Sequence, residues 1–186
     1  QKVSEEVVWD RDDLVNVDAN TNNLIKVQSN GNWNGGAASL NRVGDNGYFT
    51  FVASETNRRR MAGLSDSNVN SNFTTIDFAF YLEANSTLRI YESGNNRGTF
   101  GTYSTGDTMK ISVENGIIHY YRNQELLRIV STTPSLPLLA DVSIRDVDGT
   151  ISNAKITNYN AGSFVAFAEN AGANPTYQWF LNGNAV

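Results

Sequence analysis

The sequence predicts an all-β chain folded as an antiparallel two-sheet sandwich, and three observations carry that prediction. Apolar and polar residues alternate with period 2 along several segments. No segment holds a 3.6-residue apolar period over three turns, and turn dipeptides cut the runs at intervals of about ten residues. Alternation marks a half-buried strand, because successive side chains point to opposite faces. Many such strands with short turns bury their apolar faces against a second sheet.

The strands follow in order. Trp9, set among Val7, Val8 and charged residues, is assigned to the core. Residues 47–54 (GYFTFVAS) alternate cleanly. In residues 74–83 (TTIDFAFYLE), Ile76, Phe78, Phe80 and Leu82 share one face, leaving Asp77, Ala79, Tyr81 and Glu83 on the other. In residues 86–93, Leu88 and Ile90 point inward with Arg89 and Tyr91 opposite. Residues 89–130 are cut by Gly94-Asn95, Gly106-Asp107, Asn115-Gly116 and Arg122-Asn123, the pattern of a meander. Within it Met109, Ile111 and Val113 face inward, against Lys110, Ser112 and Glu114. Residues 137–144 add a strand, and Asp146–Gly149 reads as a hairpin turn.

Composition bounds the function. Hydrophobic residues make up 40% and charged residues 18%, so a packed core is available while Asn, Ser, Thr and Gly supply most of the surface. Such a surface suits secreted β proteins. A net charge of −5 argues against a nucleic-acid partner, since phosphate binding needs clustered Lys and Arg. The one basic run, Arg58-Arg59-Arg60, reads as charge guarding an edge strand. With no Cys there is neither a disulfide framework nor a thiolate metal site. No stretch approaches the ~18 apolar residues of a membrane span. An opening on Gln1 rather than Met is read as removal of a signal peptide or of other residues ahead of it.

The pattern changes after residue 157. Residues 1–157 form the sandwich, 158–163 are small and polar as in a linker, and 164–186 begin something new. There Tyr177, Trp179 and Gly183 resemble the third strand and turn of a bacterial immunoglobulin-like repeat, whose Trp packs between sheets. Only the first strands of such a domain are present. So short a piece does not bury its own Phe164, Phe167 and Trp179. The expectation is a chain cut at this point, or one completed by another copy.

Residues 1 to about 157 resemble a concanavalin A-like sandwich domain of large surface and secreted proteins of Bacteroidota-type bacteria. The matching motifs are Gly47-Tyr48-Phe49, Arg60 to Ser65, Ile76 to Leu82, Tyr91 to Gly94 and Arg97 to Gly101. The strongest is Tyr103-x-x-Gly106-Asp107 followed by Asn115-Gly116 and Tyr120-Tyr121-Arg122-Asn123, which is also similar to the end of SPRY domains. The resemblance implies a jelly-roll fold, neighbouring immunoglobulin-like domains in the same protein, export and cell-surface display. It does not fix a ligand, because this fold carries lectins, glucanases and protein binders alike.

Candidate sites are few. Sandwich glucanases resembling this fold carry Glu-x-Asp-x-x-Glu on one strand, setting an acid and a nucleophile about 5–5.5 Å apart. That spacing is absent. Asp77 and Glu83 share a strand face but lie about 20 Å apart at the usual rise, so no catalytic residue is assigned and no enzyme activity is expected. The single histidine, His119, reads as a solvent-facing strand residue. For a metal, Asp66, Asn68, Asn70, Asn72 and Asp77 place oxygens at spaced positions of one loop. Calcium takes six to eight oxygens, but the central Gly and closing Glu of an EF-hand are missing. An Asn-rich turn held by its own hydrogen bonds accounts for the same residues. No cofactor is therefore assigned, with calcium kept as an open alternative. Asp10, Asp12 and Asp13 read as a solvated loop.

For a sugar, exposed aromatic rings flanked by polar groups are required, because rings cover the apolar face of a pyranose. Tyr81, Arg89, Tyr91 and Asp77 fall on the outer side of adjacent strands, and Trp33 sits in a very polar loop. These five are the candidate ligand-binding residues, each with core packing as its plainer explanation. The expected function is a non-catalytic binding or structural module of an exported bacterial surface protein, adhesin-like, recognising a glycan or a surface protein. The alternative is a carbohydrate-binding module of a secreted polysaccharide hydrolase. A further option makes residues 160–186 a strand donated to a neighbour.

Overall fold

The computed structural model describes residues 1–28 and 31–159, together with a short backbone ribbon in which Phe180–Leu181 pairs with Asn184–Ala185. Most of the expected linker and the immunoglobulin-like segment, including Tyr177 and Trp179, lie outside the described residues.

The chain forms β1 (Lys2–Glu6), β2 (Val17–Asn20), β3 (Asn23–Lys26), β4 (Gly35–Val43), β5 (Gly47–Val52), β6 (Arg60–Ser65) and β7 (Phe78–Leu82). It continues with β8 (Thr87–Glu92), β9 (Asn95–Thr102), β10 (Thr108–Glu114), β11 (Ile117–Arg122), β12 (Glu125–Val130), β13 (Leu138–Ile144) and β14 (Thr150–Tyr159). Two antiparallel sheets result, as the alternation predicts. The eight-stranded sheet runs β12-β11-β10-β5-β14-β3-β2, with β1 also against β14, and the six-stranded sheet runs β4-β13-β6-β7-β8-β9.

Between the sheets lies one apolar core. Phe49, Phe51, Met109, Ile111, Val113, Ile118 and Tyr120 come from the eight-stranded sheet, and Leu64, Phe78, Phe80, Leu82, Leu88 and Ile90 from the six-stranded one. Trp9 is buried there, as expected. Phe51 and Tyr120 both meet the Phe80 ring edge-on, which locks the layers together. Glu92 of β8 reaches across to Arg128 of β12 at 2.7 Å and to Arg97 of β9 at 2.8 Å. The two guanidinium groups offset the cost of placing that carboxylate in a site only 6% exposed.

Two local expectations change. Arg58-Arg59-Arg60 does not guard an edge, because β6 sits between β13 and β7 in the sheet interior. Each arginine is instead tied inside the molecule: Arg59 to Asp146 at 2.9 Å, Arg58 to the Val147 carbonyl, and fully buried Arg60 to Glu55 at 3.2 Å. Ile76 leaves the core face assigned to it. Regular pairing of β7 begins at Phe78, so the period-2 pattern does not extend back through residues 76 and 77. Ile76 packs instead with Met61 and Ala79 on the outer side of the six-stranded sheet.

Candidate functional site

The outer face of the six-stranded sheet carries the residues that the sequence put forward. Cross-strand register aligns Ser143, Met61, Tyr81 and Arg89 in one row, and Asp141, Gly63, Ala79 and Tyr91 in the next. Residues 66–77 fold over this face. Ser143 Oγ donates to the Ser71 carbonyl at 2.8 Å, and the backbone at Gly36 sits directly beneath Ser71. A Cβ built on Gly36 would stand 2.6 Å from Ser71 Cβ, so only glycine admits this approach. The second loop, 31–34, is pinned by buried Lys26. Its Nζ donates to Asn32 O, Asn34 Oδ1, Ile144 O and Arg145 O at 2.7–2.9 Å.

Under these loops Trp33, Tyr81 and Tyr91 come together with Phe73, which the sequence did not single out. Trp33 lies 5.0 Å from Phe73 and 5.3 Å from Tyr81, Phe73 lies 5.9 Å from Tyr91, and Tyr81 lies 5.6 Å from Tyr91. All four are half-buried, mostly edge-to-face, and packed on Met61, Ile76 and Ala79. They form a second small core. Burial is the main reason the Tyr81 hydroxyl is pushed up to about 12, with the Glu83 carboxylate adding to it. Arg89 pairs with Glu83 at 2.6 Å. The Asp77 carboxylate accepts the Asp66 N–H at 3.0 Å, and its own N–H donates to Ser65 Oγ.

Of the proposed metal-ligating side chains, Asp66, Asn70 and Asn72 have an oxygen engaged by the loop itself. Asn70 Oδ1 accepts the Asn72 N–H, and Asn72 Oδ1 caps the short 3-10 turn at Phe73–Thr75 by accepting from Thr74. Asp66 Oδ1 accepts from Ser67 Oγ, and Asn68 Nδ2 donates to Asp13. Asp13 is thus no solvated loop residue: burial, then Asp10, pushes its carboxyl up. Beneath the loop, buried Asp141 accepts from Ser65 Oγ at 2.7 Å. Burial, and secondarily Asp77 and Asp13, lifts its carboxyl to about 7. Among the described residues no group of three or more His, Asp or Glu side chains could hold a metal ion.

The outer face of the eight-stranded sheet is different. One cross-strand row is Ile129, His119, Ser112, Tyr48, Thr157 and Ser4, and the next is Leu126, Tyr121, Lys110, Thr50, Lys155 and Glu6. Tyr48, Lys110, Ser112, Glu114 and Tyr159 line an open cleft of about 530 Å³. Lys110 Nζ sits 3.7 Å from the centre of the Tyr121 ring and 5.6 Å from that of Tyr48, while Lys2 Nζ lies 5.9 Å from Tyr48. His119 stacks on Tyr121 at 6.3 Å.

Glu114 Oε1 accepts from Ser112 Oγ at 2.6 Å and from the Tyr121 hydroxyl at 3.0 Å. Burial acts to raise the Glu114 carboxyl. The two hydroxyl donors, with His119 and Lys110, outweigh it and hold the group below the usual carboxylate range. Glu114 is therefore an ionised acceptor that orients a tyrosine. It is the only carboxylate lining the cleft among the described residues. A second cleft of about 250 Å³ brings Asp66, Asp77 and Glu92 together, but Arg97 and Arg128 already clamp Glu92.

Alternation alone had put Lys110, Ser112 and Glu114 outside. The signal that would have exposed the whole cleft is register, which sets Tyr48 beside Ser112 and Tyr121 beside Lys110.

No family model matches the sequence, and no curated protein matches it. Solved structures do match in fold. The PSpry domain of TRIM65 superposes with a TM-score of 0.57 at 10% identity, over 82% of this chain and 88% of that one. The carbohydrate recognition domain of Emp46p, in its potassium-bound form, gives 0.55 at 7% identity over 85% and 88%. A sialidase gives 0.51 at 10% identity over 75% of this chain, which spans only 16% of that enzyme. At such identities the likeness establishes the fold alone: the chain is a concanavalin A-like two-sheet β-sandwich.

Proposed function

We propose that the chain is a non-catalytic glycan-binding module of an exported bacterial surface protein. The observation that carries this reading is the open, tyrosine-lined cleft on the eight-stranded sheet. Tyr48 and Tyr159 in the lining, with Tyr121 beside Lys110, offer ring faces for the apolar side of a sugar, and Lys110, with His119 stacked on Tyr121, offers polar groups for its hydroxyls. Likeness to the Emp46p recognition domain agrees with it. The absence of catalysis is supported by the lone Glu114, since glycoside hydrolysis calls for two carboxylates about 5–9.5 Å apart. Export and surface display rest on the neutral polar composition and on the sequence resemblance.

Glycan-array binding of the whole chain tests this. Tyr48→Ala together with Tyr121→Ala should abolish the signal while leaving the unfolding midpoint nearly unchanged. If Tyr91→Ala abolishes it instead with the fold intact, the site belongs to the six-stranded face. No binding to any glycan would overturn the reading, and hydrolysis of a bound polysaccharide would overturn its non-catalytic part.

A further inference from the structure

The positive charges of this chain are distributed unevenly. Every arginine has an internal partner: eight of the ten face carboxylates, and Arg11 and Arg42 donate to backbone carbonyls. Of the four lysines, Lys26 is buried on oxygen acceptors. The remaining three, Lys2, Lys110 and Lys155, all lie on the outer face of the eight-stranded sheet. None of these three has a carboxylate within 4 Å among the described residues. In a chain of net charge −5, the lysines without a carboxylate partner thus share one sheet face, with Lys110 lining its cleft.

We infer that this cleft takes acidic, carboxylate-bearing glycans in preference to neutral ones, with Lys110, Lys2 and Lys155 as the groups that select the charge. The inference rests on the glycan-binding reading above and adds the ligand class. Lys110 is held for this purpose over two tyrosine rings, Tyr121 at 3.7 Å and Tyr48 at 5.6 Å. A cation over a ring at a partly exposed site is held weakly. A carboxylate forms the stronger, charge-assisted hydrogen bond. An arriving uronate or sialate therefore draws the ammonium off Tyr121 and frees that ring face for the sugar. Lys155 stands two strands away across Thr50, about 10 Å at the usual strand spacing. That separation lets the two lysines meet different residues of one oligosaccharide. Two carboxylates border the site. Glu114 is occupied by Ser112 and Tyr121, and Glu6 lies opposite Lys155 at the far edge. They set the limit on selectivity without cancelling the three cations.

Calorimetric titration of the whole chain with matched pairs tests the proposal: oligogalacturonate against its methyl ester, sialyllactose against lactose, and a hyaluronan tetrasaccharide against its carboxyl-reduced form. In at least one pair the acid should bind about tenfold tighter, the product of three ion pairs worth a few-fold each. The ratio should shrink toward one in 1 M NaCl, where the screening length falls to about 3 Å. Lys2→Met, Lys110→Met and Lys155→Met together should erase the preference while the thermal midpoint holds. If neutral members bind as tightly as the acids, the charge inference falls and glycan binding stands. If no member of any pair binds, the charge inference falls, and the glycan array decides separately whether glycan binding stands.

Discussion

The outer faces of the two sheets start from the same sequence pattern and end differently. Each presents tyrosines, basic groups and small polar residues at alternate strand positions. On the six-stranded face the tyrosines are spent on each other, with Trp33 and Phe73 supplied by overlying loops. On the eight-stranded face they remain at an open cleft with lysines for neighbours. An outward aromatic is therefore a binding candidate only when nothing in the chain returns to cover it.

The largest expected effect breaks this contrast directly. Trp33→Ala should cost roughly 2–4 kcal/mol of stability, from lost burial and lost ring contacts with Phe73 and Tyr81. Tyr121→Ala, whose ring meets mainly Lys110 and His119, should cost less than about 1 kcal/mol. Urea unfolding with unchanged slope measures both. Equal losses would mean that the two faces are packed alike.

How much of this was legible follows from the same contrast. Strand identity and the inward set Met109, Ile111 and Val113 were readable, because period 2 is a local property. Tyr81 and Tyr91 were placed on the outer side of their strands, and the structure sets them there, packed together with Trp33 from its loop. Their covering was not readable. It depends on residues 66–77 crossing a face formed by strands that come both before and after them, and no local pattern encodes that return. Arg58–Arg60 misled for a similar reason. A basic run looks like an edge until topology places β6 between β13 and β7 and supplies Glu55 and Asp146 as partners.

The next effect sharpens the covered face by its charge. Asp141 lies beneath the loop, with Ser65 donating to it and Asp77 and Asp13 acting on it as like charges. Its carboxyl stands at about 7, above the ordinary 3.8. The native state therefore holds a proton that the unfolded chain releases. This group's stabilising contribution is full below pH 4, declines as pH rises toward 7, and is flat beyond. Asp141→Asn keeps the size and the acceptor for Ser65 but removes the titration. The variant should match the parent near pH 4 and exceed it at pH 8 by roughly 2–4 kcal/mol. Urea midpoints at pH 4, 6 and 8 decide the matter: parallel curves for the two proteins would show that Asp141 is ionised in the fold.

The smallest effect tests whether backbone contact alone holds the cover down. At Gly36 a new Cβ would stand 2.6 Å from Ser71 Cβ and 2.8 Å from Ser71 Cα. Something must move, and β4 is fixed on both sides, by β13 and by the paired backbone bonds between Gly36 and Val15. The loop should yield instead. Gly36→Ala then costs roughly 1–2 kcal/mol of overpacking, less the few tenths regained because alanine restricts the unfolded chain. Hydrogen exchange should speed up at residues 66–75, with the β13 amides still protected. Adding Ser71→Gly removes the nearer collision but leaves the Cα at 2.8 Å, so the double variant should recover only part of the loss. Full recovery would mean that the side chain of Ser71, rather than its backbone, sets the height of the loop. Ligand binding on the opposite sheet should be unchanged throughout, since the core lies between the two faces.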